Sequence, residues 1–291
     1  MSFKIMYFSD LHLSRRMPVT IANWELCLRA IDEARPDLVL VGGDLLFDDP
    51  DNAEDRALAQ AHLARIAAPW RITPGNHDVG DTLPPTEGKK LVTPARLEAY
   101  RDSFGEVWWA LDAAGWKIIG MNNMLSGSGL EDEETQDAFV KDAIGGWRGP
   151  VALFVHKPLC FADFGETETT KYTMRPAARG PLLDLFAGYD LRMIGSGHCH
   201  TARNTMVSGI RTVWAPSTAI VIGNNTRLPD MSAGWVTYTF TDADVAIDLS
   251  ARAALPPADL GGLLDIYGTL GAIPPALLHD FGSGRDAEAR A

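Results

Sequence analysis

The feature that most constrains the fold of this chain is a repeated order in its first half. A short apolar run is followed by a loop of glycine and polar residues, and then by a stretch with apolar residues at helical spacing. This alternation is typical of β-α-β units rather than of a helical bundle or an all-β meander. We therefore expect an α/β fold whose strands end in polar loops. The strands predicted in this half are 3–9, 38–41 and 70–73.

Two helices are expected between these strands. The first must end near Arg35, because Pro36 disfavours helical geometry in the residue before it and has no N–H to donate. The second is predicted over 53–67, which is rich in alanine, arginine and leucine. Residues 74–78 are expected to form a turn.

The remainder of the chain predicts further strands and two more helices. One helix is expected to begin near Glu131, where four consecutive acidic residues favour a helix start, and the other is expected over 181–187. With the strands, these helices predict two sheets with helices outside. The predicted strands are 107–111, 116–121, 151–155, 191–194, 210–215, 219–222 and 234–240.

The residues after position 250 differ from the rest of the chain. Paired prolines and glycines interrupt two short apolar stretches there, and the last ten residues are polar. We divide the chain into a main domain, 1–250, and a C-terminal extension, 251–291. The extension could pack on the main domain, cover a subunit interface of a homo-oligomer or fray, and the sequence does not choose among these.

Charge and cysteine content exclude several classes of protein. The 38 acidic and 26 basic residues give a formal charge of −12 and a pI near 5.0, which disfavours nucleic acid and anionic membranes as partners. Cys27, Cys160 and Cys199 are widely spread and give no disulfide framework. No window approaches about 18 consecutive apolar residues, and the apolar run at the amino end lacks a cleavage site. We expect a cytoplasmic protein with no membrane partner.

Histidines, carboxylates and an amide are concentrated in the loops that follow five predicted strands. Ligands of α/β sheets bind at the carboxyl ends of strands, so we expect these loops to converge. In extended backbone, side chains two positions apart point to the same side, so Asp10 with His12 and His198 with His200 can each reach one pocket. The five loop segments are Asp10-Leu11-His12, Asp44, Asn76-His77-Asp78, His156 and His198-Cys199-His200.

Such a pocket would be unfavourable without metal ions, because buried carboxylates and imidazoles would leave charges and donors unmatched. Nitrogen and oxygen ligands without thiolates suit Zn, Fe or Mn, as two divalent ions or as an Fe(III)/M(II) pair. A shared carboxylate allows two ions about 3.5–4 Å apart, the separation used for displacement at phosphorus. With Asp10, Asp44 and a bridging hydroxide, two divalent ions would carry a net charge of about +1, which complements a phosphodiester monoanion or, less completely, a phosphomonoester dianion.

The order of these motifs resembles that of the calcineurin-like metallophosphoesterase family. The resemblance covers most of residues 3–240 and is carried by Ser9-Asp10-Leu11-His12, Gly43-Asp44, Gly75-Asn76-His77-Asp78, His156 and Gly197-His198-Cys199-His200. Ala215-Pro216-Ser217-Thr218 and Gly234-Trp235 further resemble the bacterial cyclic-nucleotide phosphodiesterase branch. The resemblance implies a two-sheet β-sandwich flanked by helices, in an α/β/β/α arrangement, with residues 1–250 as its catalytic domain.

The resemblance also implies a ligand set and a mechanism. A metal-bridging hydroxide would attack phosphorus, and His77, which would not be a ligand, would assist the leaving group. Many family members have an acid three residues after the bridging aspartate, but Phe47 stands there and the nearest acid is Asp48. The residue that orients His77 is therefore left open. One metal would be held by Asp10, His12, Asp44 and His200, and the other by Asp44, Asn76, His156 and His198, so that Asp44 bridges them.

Three functions are compatible with this metal core. The first is hydrolysis of a small phosphodiester, such as a cyclic nucleotide, so that the partner is a small phosphate ester. The second is a phosphomonoesterase on the same core, which would differ in pocket shape and charge rather than in its ligands. The third, from another class, is a non-catalytic metal-binding scaffold. Nuclease activity is disfavoured by the net charge.

Other conspicuous residues have ordinary explanations. Cys199, Trp108, Trp109 and Trp214 are expected to pack in the interior. His62, on a predicted helix face, and His279, in the extension, are expected to be structural or surface histidines. Four arginines in predicted loops are weaker candidates for substrate binding: Arg15, Arg16, Arg175 and Arg179.

Overall fold

The structure, a computed structural model, describes residues 2–82, 91–221 and 232–256. Its strands are β1 (Phe3–Phe8), β2 (Leu38–Val41), β3 (Trp70–Ile72), β4 (Trp109–Ala113), β5 (Trp116–Gly120), β6 (Pro150–Phe154), β7 (Asp190–Ser196), β8 (Arg203–Val207), β9 (Ile210–Trp214), β10 (Val236–Phe240) and β11 (Val245–Asp248). Its helices are α1 (Pro18–Ala34), α2 (Ala53–Leu63), α3 (Asn76–Val79), α4 (Pro94–Phe104), α5 (Glu131–Ile144) and α6 (Pro176–Asp184), with a short 3₁₀ helix at Ser250–Ala253.

The strands form two mixed sheets. The first has the order β11-β10-β1-β2-β3, and the second has the order β4-β5-β6-β7-β9-β8. Strands β1 to β3 run parallel to one another, as do β5, β6, β7 and β9, whereas antiparallel pairs lie toward the edges. The carboxyl ends of the parallel strands in each sheet therefore lie at the same end of that sheet, as the β-α-β pattern predicts.

One hydrophobic core lies between the two sheets. Successive side chains of a strand point to opposite faces, so Ile5 and Tyr7 of β1 face the second sheet while Met6 and Phe8 face the helices. Tyr7 packs against Phe154 of β6, with ring centroids 5.4 Å apart. Burying both faces of the sheet explains why the central strands are continuously apolar.

Helices cover the outer face of each sheet. α1, α2 and α4 pack on the first sheet, where Trp24 of α1 contacts Phe8 edge to face at a centroid distance of 5.6 Å. α5 and α6 pack on the second sheet through residues such as Val140 and Leu182. The predicted sandwich of two sheets flanked by helices is confirmed.

Helix positions agree with the sequence predictions at some boundaries and differ at others. α1 ends at Ala34, and Arg35 takes the left-handed conformation before Pro36. The second predicted helix, 53–67, ends at Leu63, and the predicted turn at 74–78 overlaps the first three residues of α3. α4 was not predicted.

The helix predicted over 181–187 lies at the wrong position. α6 begins at Pro176, because a proline in the first turn gives up no helical hydrogen bond, and Pro181 lies inside it. The buried guanidinium of Arg179 anchors the helix by donating to the carbonyl groups of Leu159 and Phe164. Arg179 therefore has a structural role, and its prediction as a loop residue that binds substrate is wrong.

The predicted strand 219–222 is absent over 219–221, and residue 222 lies outside the described ranges. The Ser217 hydroxyl accepts hydrogen bonds from the backbone N–H groups of Ala219 and Ile220, which bends the chain into a local turn. β8 and β11 were not predicted; β8 is an edge strand with a mainly polar sequence.

The chain around the predicted domain boundary contacts the main domain. Leu255 is buried, and its N–H donates to the carbonyl of Ala233 at 3.0 Å. The rest of the predicted extension, 257–291, lies outside the described residues, as does His279. Within the described ranges, no helix combines the length and apolar character needed to cross a membrane.

Candidate metal centre

The predicted site residues follow the carboxyl ends of parallel strands in both sheets. Asp10 and His12 follow β1, and Asp44 follows β2. Asn76 and His77 begin α3, directly after the loop that follows β3. In the second sheet, His156 follows β6, and His198 and His200 follow β7. The two sheets thus bring all of these residues to the same end of the sandwich.

The sequence argument assumed extended backbone at the site, but the structure shows a different conformation. Asp10, His12, Asp44, His198 and His200 all have positive φ angles, from 45° to 65°. Non-glycine residues adopt this left-handed conformation rarely, and clusters of them occur at functional sites. Long-range hydrogen bonds hold it here: the His12 N–H donates to the Asp44 carbonyl at 2.9 Å, and the His198 N–H donates to the Asp10 carboxylate.

Glycine is required where these loops approach one another. A Cβ at position 75 would overlap the carboxylate and the backbone nitrogen of Asp44, and one at position 197 would overlap the Ser9 hydroxyl. The motif glycines Gly75 and Gly197 therefore let the ligand-bearing loops of different strands come into contact.

The side chains form three overlapping groups, in each of which one potential ligand atom per residue lies within 4.8 Å of the others. Asp44 belongs to two groups, as does His12. His77, expected not to be a ligand, lies in one of them. The groups are Asp10 with His12 and His200, His12 with Asp44 and His77, and Asp44 with His156 and His198.

Backbone carbonyls orient all four histidines expected to bind metal. A carbonyl can only accept, so each bonded ring nitrogen carries the hydrogen and leaves the other nitrogen for the site. This arrangement is common around protein metal ions, where it fixes the ring and its tautomer. His12 Nδ1 donates to Phe47 (3.0 Å), His156 Nδ1 to Gly42 (2.7 Å), His198 Nε2 to Lys171 (2.8 Å) and His200 Nδ1 to Ile220 (2.7 Å).

The remaining ring nitrogens face other electron-rich atoms. His12 Nε2 lies 3.2 Å from His200 Nε2, which is 3.4 Å from an Asp10 carboxylate oxygen. In neutral rings these nitrogens present lone pairs to each other, an unfavourable contact that a cation between them would make favourable. The three side chains are almost completely buried, so water provides little compensation.

The second part of the centre shows the same fit to a cation. His156 Nε2 lies 3.1 Å from Asp44 Oδ2. The amide Oδ1 of Asn76 is buried and has no hydrogen-bond partner among the described residues. An unpaired buried acceptor costs about 1–3 kcal/mol, and coordination of a metal ion would satisfy it.

The pKa values agree with cation binding. Burial raises the pKa of Asp10, but His200 and His156 outweigh it and lower the pKa to about 2. Burial also opposes ionisation of Asp44, yet its histidine neighbours hold its pKa well below the usual value. Burial and the nearby His77 lower the pKa of His12 to about 3, so this ring is neutral.

His156 differs from His12. Burial lowers its pKa, but the Asp44 carboxylate outweighs that effect and raises the pKa to about 9. A cation bound by His156 would therefore displace a proton. Burial, together with the positive charge of Lys157, holds the pKa of His198 well below its usual value.

His77 lies beside Asp44, the residue shared between two groups. Its backbone N–H donates to Asp44 Oδ1 at 2.8 Å, and its Nε2 lies 3.8 Å from Asp44 Oδ2. Asp48, the nearest acid in the sequence, forms a 2.9 Å ion pair with Arg16. Phe47 contributes its carbonyl group to the orientation of His12.

Two residues that support the site were not singled out from the sequence. Asp78 is buried and accepts hydrogen bonds from the N–H groups of Leu45, Leu46 and Gly75, which ties the loop after β2 to the loop after β3. Burial and the nearby Asp44 raise its pKa to about 6. Its place in the Asn76-His77-Asp78 motif was the available signal.

Ser217 is the second supporting residue. Its hydroxyl donates to the Asp10 carbonyl at 2.8 Å and accepts from the N–H groups of Ala219 and Ile220. The Ile220 carbonyl in turn accepts from His200. Ser217 thus supports both sides of the Asp10 and His200 group, although the sequence indicated it only through the family resemblance.

Of the residues expected in the interior, Cys199, Trp109 and Trp214 are buried, whereas Trp108 is only partly buried. Trp109 is buried and donates to the Ile72 carbonyl, and Trp214 is buried against Cys199. The Cys199 thiol faces the Tyr172 carbonyl at 3.4 Å. Cys199 thus points away from the candidate centre, whereas His198 and His200 point into it. This was expected, although the backbone is not extended.

The family model of calcineurin-like phosphoesterases matches residues 3–202, a span that includes every predicted ligand. The chain belongs to the calcineurin-like phosphoesterase family. Membership supports a metal-dependent phosphoester hydrolase, and the histidine and carboxylate groups supply candidate ligands for divalent metal ions.

Two bacterial relatives from this family align with part of the chain. The metallophosphoesterase YkuE of Bacillus subtilis is 29% identical over 128 residues, which are 43% of each protein. Phosphodiesterase YaeI of Escherichia coli is 39% identical over 77 residues, which are 26% of this chain and 27% of YaeI. The chain thus aligns with less than half the length of either relative.

Solved structures of calcineurin-like phosphoesterases share the fold. A dimetal phosphatase from Danio rerio superimposes with a TM-score of 0.59 at 12% identity, over 84% of this chain and 95% of that one. A purple acid phosphatase from yellow lupin seeds gives 0.62 at 16% identity, over 89% and 53%. At these identities the likeness shows the fold alone.

Proposed function

We propose that the chain hydrolyses small phosphodiesters at a centre of two metal ions. The observation that carries this proposal is the position of Asp44, whose carboxylate belongs both to the group with His156 and His198 and to the group with His12 and His77. A carboxylate shared in this way is suited to bridge two neighbouring cations.

The proposed ligands are those expected from the sequence. Asp10, His12, Asp44 and His200 would hold one ion, and Asp44, Asn76, His156 and His198 would hold the other. Two bound ions, with Mn, Fe or Zn as candidates, would supply a nucleophile at neutral pH and stabilise charge on the phosphoryl oxygens.

The protein residues position this chemistry. The four carbonyl-bound imidazoles and the loop contacts of Asp44 fix the ligands before metal binds, which reduces the reorganisation that binding requires. His77 lies next to the shared Asp44 and is the proposed proton donor to the leaving oxygen. Asp44 and His77 are thus the proposed catalytic residues.

The net charge of the metal-loaded centre and the similarity to a phosphodiesterase support a diester substrate. Asp10 and Asp44 are both ionised, so two divalent ions and a hydroxide nucleophile would leave about one positive charge for a monoanionic diester. The relative YaeI is named a phosphodiesterase. A cyclic nucleotide is one such diester, and a phosphomonoester is the competing substrate class.

We propose that the protein acts in the cytoplasm on a small molecule. Cys27, Cys160 and Cys199 are all buried thiols, which supports a reducing compartment. The formal charge of −12 disfavours a nucleic-acid partner. The oligomeric state is open. One alternative is a homo-oligomer in which the extension covers the interface between subunits.

The experiment compares three substrates after loading the purified protein with Mn, Fe or Zn. We expect a bis-aryl phosphate to be turned over faster than the matching aryl monophosphate, with cyclic AMP as a test of the nucleotide class. Metal analysis should give two ions per chain. Faster turnover of the monoester would reverse the substrate order, and an empty centre without hydrolysis in folded protein would favour the non-catalytic scaffold.

A further inference from the structure

A small polar recess opens beside the His156 side of the candidate centre. It is shallow, with a cavity volume of about 10 Å³ that admits about one water-sized or oxygen-sized group, and its lining contains Asp81, Asn123, Ser126, Lys157, Thr173 and Arg175. Lys157 directly follows His156 in the chain, and its positive charge acts on His198. The recess is therefore adjacent to the chain segment that carries His156.

Lys157 provides a fixed positive charge in this recess. Its side chain is almost completely buried, and its ammonium group donates to Asp81 Oδ2 at 2.6 Å. The Asn123 side chain makes two hydrogen bonds with the Lys157 backbone. It accepts from the N–H group at 3.2 Å and donates to the carbonyl group at 2.7 Å. An ammonium has three donors, so Lys157 can bind a second acceptor while it stays paired with Asp81.

Arg175 provides a second positive charge and a donor that lacks an acceptor. Its Nη2 donates to the Gly127 carbonyl at 3.0 Å, which fixes the guanidinium. Its Nε is buried and has no hydrogen-bond partner among the described residues. Leaving such a donor unpaired is unfavourable, and arginine donors are best matched by the oxygens of a carboxylate or a phosphate.

The composition of the recess favours an oxyanion over a ring. Two cations and one carboxylate leave one net positive charge, and the hydroxyl groups of Ser126 and Thr173 are additional polar atoms in the lining. None of the described residues that line it is aromatic, so it offers no surface for stacking a nucleobase.

We propose that this recess binds a second oxyanionic group of the substrate, so that the preferred substrates are phosphate esters that carry a carboxylate or a further phosphate near the scissile ester. The inference rests on the proposed function and narrows its substrate class. A simple cyclic nucleotide, whose only anion is the scissile diester, is then a poorer substrate than a charged diester of similar size.

The test uses 4-nitrophenyl phosphodiesters that differ only at the end of the second alkyl arm. The arm ends in a methyl ester, a carboxylate or a phosphate, so the leaving group and the chemical step stay the same. We expect kcat/KM for at least one charged arm to exceed that for the neutral arm about tenfold or more, which corresponds to about 1.4 kcal/mol. The arm that gives the larger ratio identifies the oxyanion.

Variants test whether Arg175 causes the preference for a charged arm over the neutral arm. Arg175→Gln should reduce the charged-to-neutral ratio of kcat/KM about tenfold. The matched control is Arg148→Gln, an exposed arginine just before β6 and therefore at the opposite end of that strand from His156, and it should keep the ratio. If Arg175→Gln does not fold, Arg175→Met, which also removes both the charge and the Nε donor, should reduce the ratio in the same way. An unchanged ratio in a folded Arg175 variant, or equal kcat/KM for all arms in the wild type, overturns the proposal.

A binding measurement separates this inference from the proposed function. In metal-free protein with ¹⁵N-labelled arginine, the Nε–H resonance of Arg175, assigned by its loss in Arg175→Lys, should shift saturably when acetate or inorganic phosphate is added. If neither acetate nor inorganic phosphate shifts this resonance, the proposed anion site is overturned. A saturable shift in protein that hydrolyses no ester after metal loading would support the anion site and refute the proposed function.

Discussion

Replacement of Ser217 by alanine tests whether the turn after β9 supports the metal centre. The Ser217 side chain is fully buried, and its hydroxyl makes three hydrogen bonds with backbone groups. One goes to the Asp10 carbonyl, and two come from Ala219 and Ile220. Because the Ile220 carbonyl orients His200, the substitution acts on two of the proposed ligands without altering their side chains.

The size of the effect follows from the groups left without partners. Two buried N–H donors lose their acceptor, at about 1–3 kcal/mol each, and partial relaxation of the turn reduces the sum. We expect the free energy of unfolding of the metal-free protein to fall by about 2–4 kcal/mol. Loss of support for a ligand histidine should also weaken metal binding about 10- to 100-fold.

Urea unfolding of metal-free protein and titration with Mn would measure the two effects. The matched control is Ser103→Ala in α4, where the hydroxyl donates only to the carbonyl of Ala99 in the preceding turn. That variant should stay within about 0.5 kcal/mol of the wild type and retain its metal affinity. If Ser217→Ala behaves like Ser103→Ala in both measurements, the proposed support of Asp10 and His200 is refuted.

Three further predictions concern the site and its surroundings. Asp44→Asn should abolish activity with loss of metal, whereas His77→Ala should keep both ions and lose about 10²–10⁴-fold in rate; loss of metal from His77→Ala would instead make His77 a ligand. Gly75→Ala should lower both metal content and thermal stability, because the added Cβ would overlap Asp44, whereas Gly180→Ala, whose Cβ would enter open space, should not. Burial raises the pKa of Glu166, but three backbone N–H donors outweigh it and lower the pKa, so its contribution to stability is present above its usual pKa of 4.5 and is lost as the pH falls through the lowered value. The difference in Tm between wild type and Glu166→Gln should therefore be large at pH 7 and shrink on acidification below pH 4.5; a difference that does not depend on pH would contradict this.

The succession β1, α1, β2, α2 and β3 could be predicted because its signals are local. The runs that become β1, β2 and β3 are apolar and short, and Pro36 sets the end of α1 within the sequence itself. Where a distant contact overrides a local signal, the prediction failed. The position of α6 depends on Arg179, whose acceptors lie up to twenty residues away in the chain.

The candidate site shows the same division. The residue types at the strand ends predicted a cation site because carboxylate, amide and imidazole groups share the ability to bind metal. The argument from extended backbone was wrong in its geometry, since His198 and His200 have left-handed backbone and lie in different ligand groups. The supporting roles of Asp78 and Ser217 depend on contacts with other loops, which spacing along the chain does not encode.

The amino-acid sequence by itself determined the α/β class, the strand ends at which polar residues gather, and the chemical identity of the candidate ligands, because burial periodicity and side-chain chemistry are properties of short segments. Only the tertiary structure decided which ligands face each other, which ring nitrogen each histidine presents, and where Lys157 and Arg175 place their charges. Those features arise from hydrogen bonds between residues such as Asp10 and His198, which lie 188 positions apart and meet only after both sheets have packed.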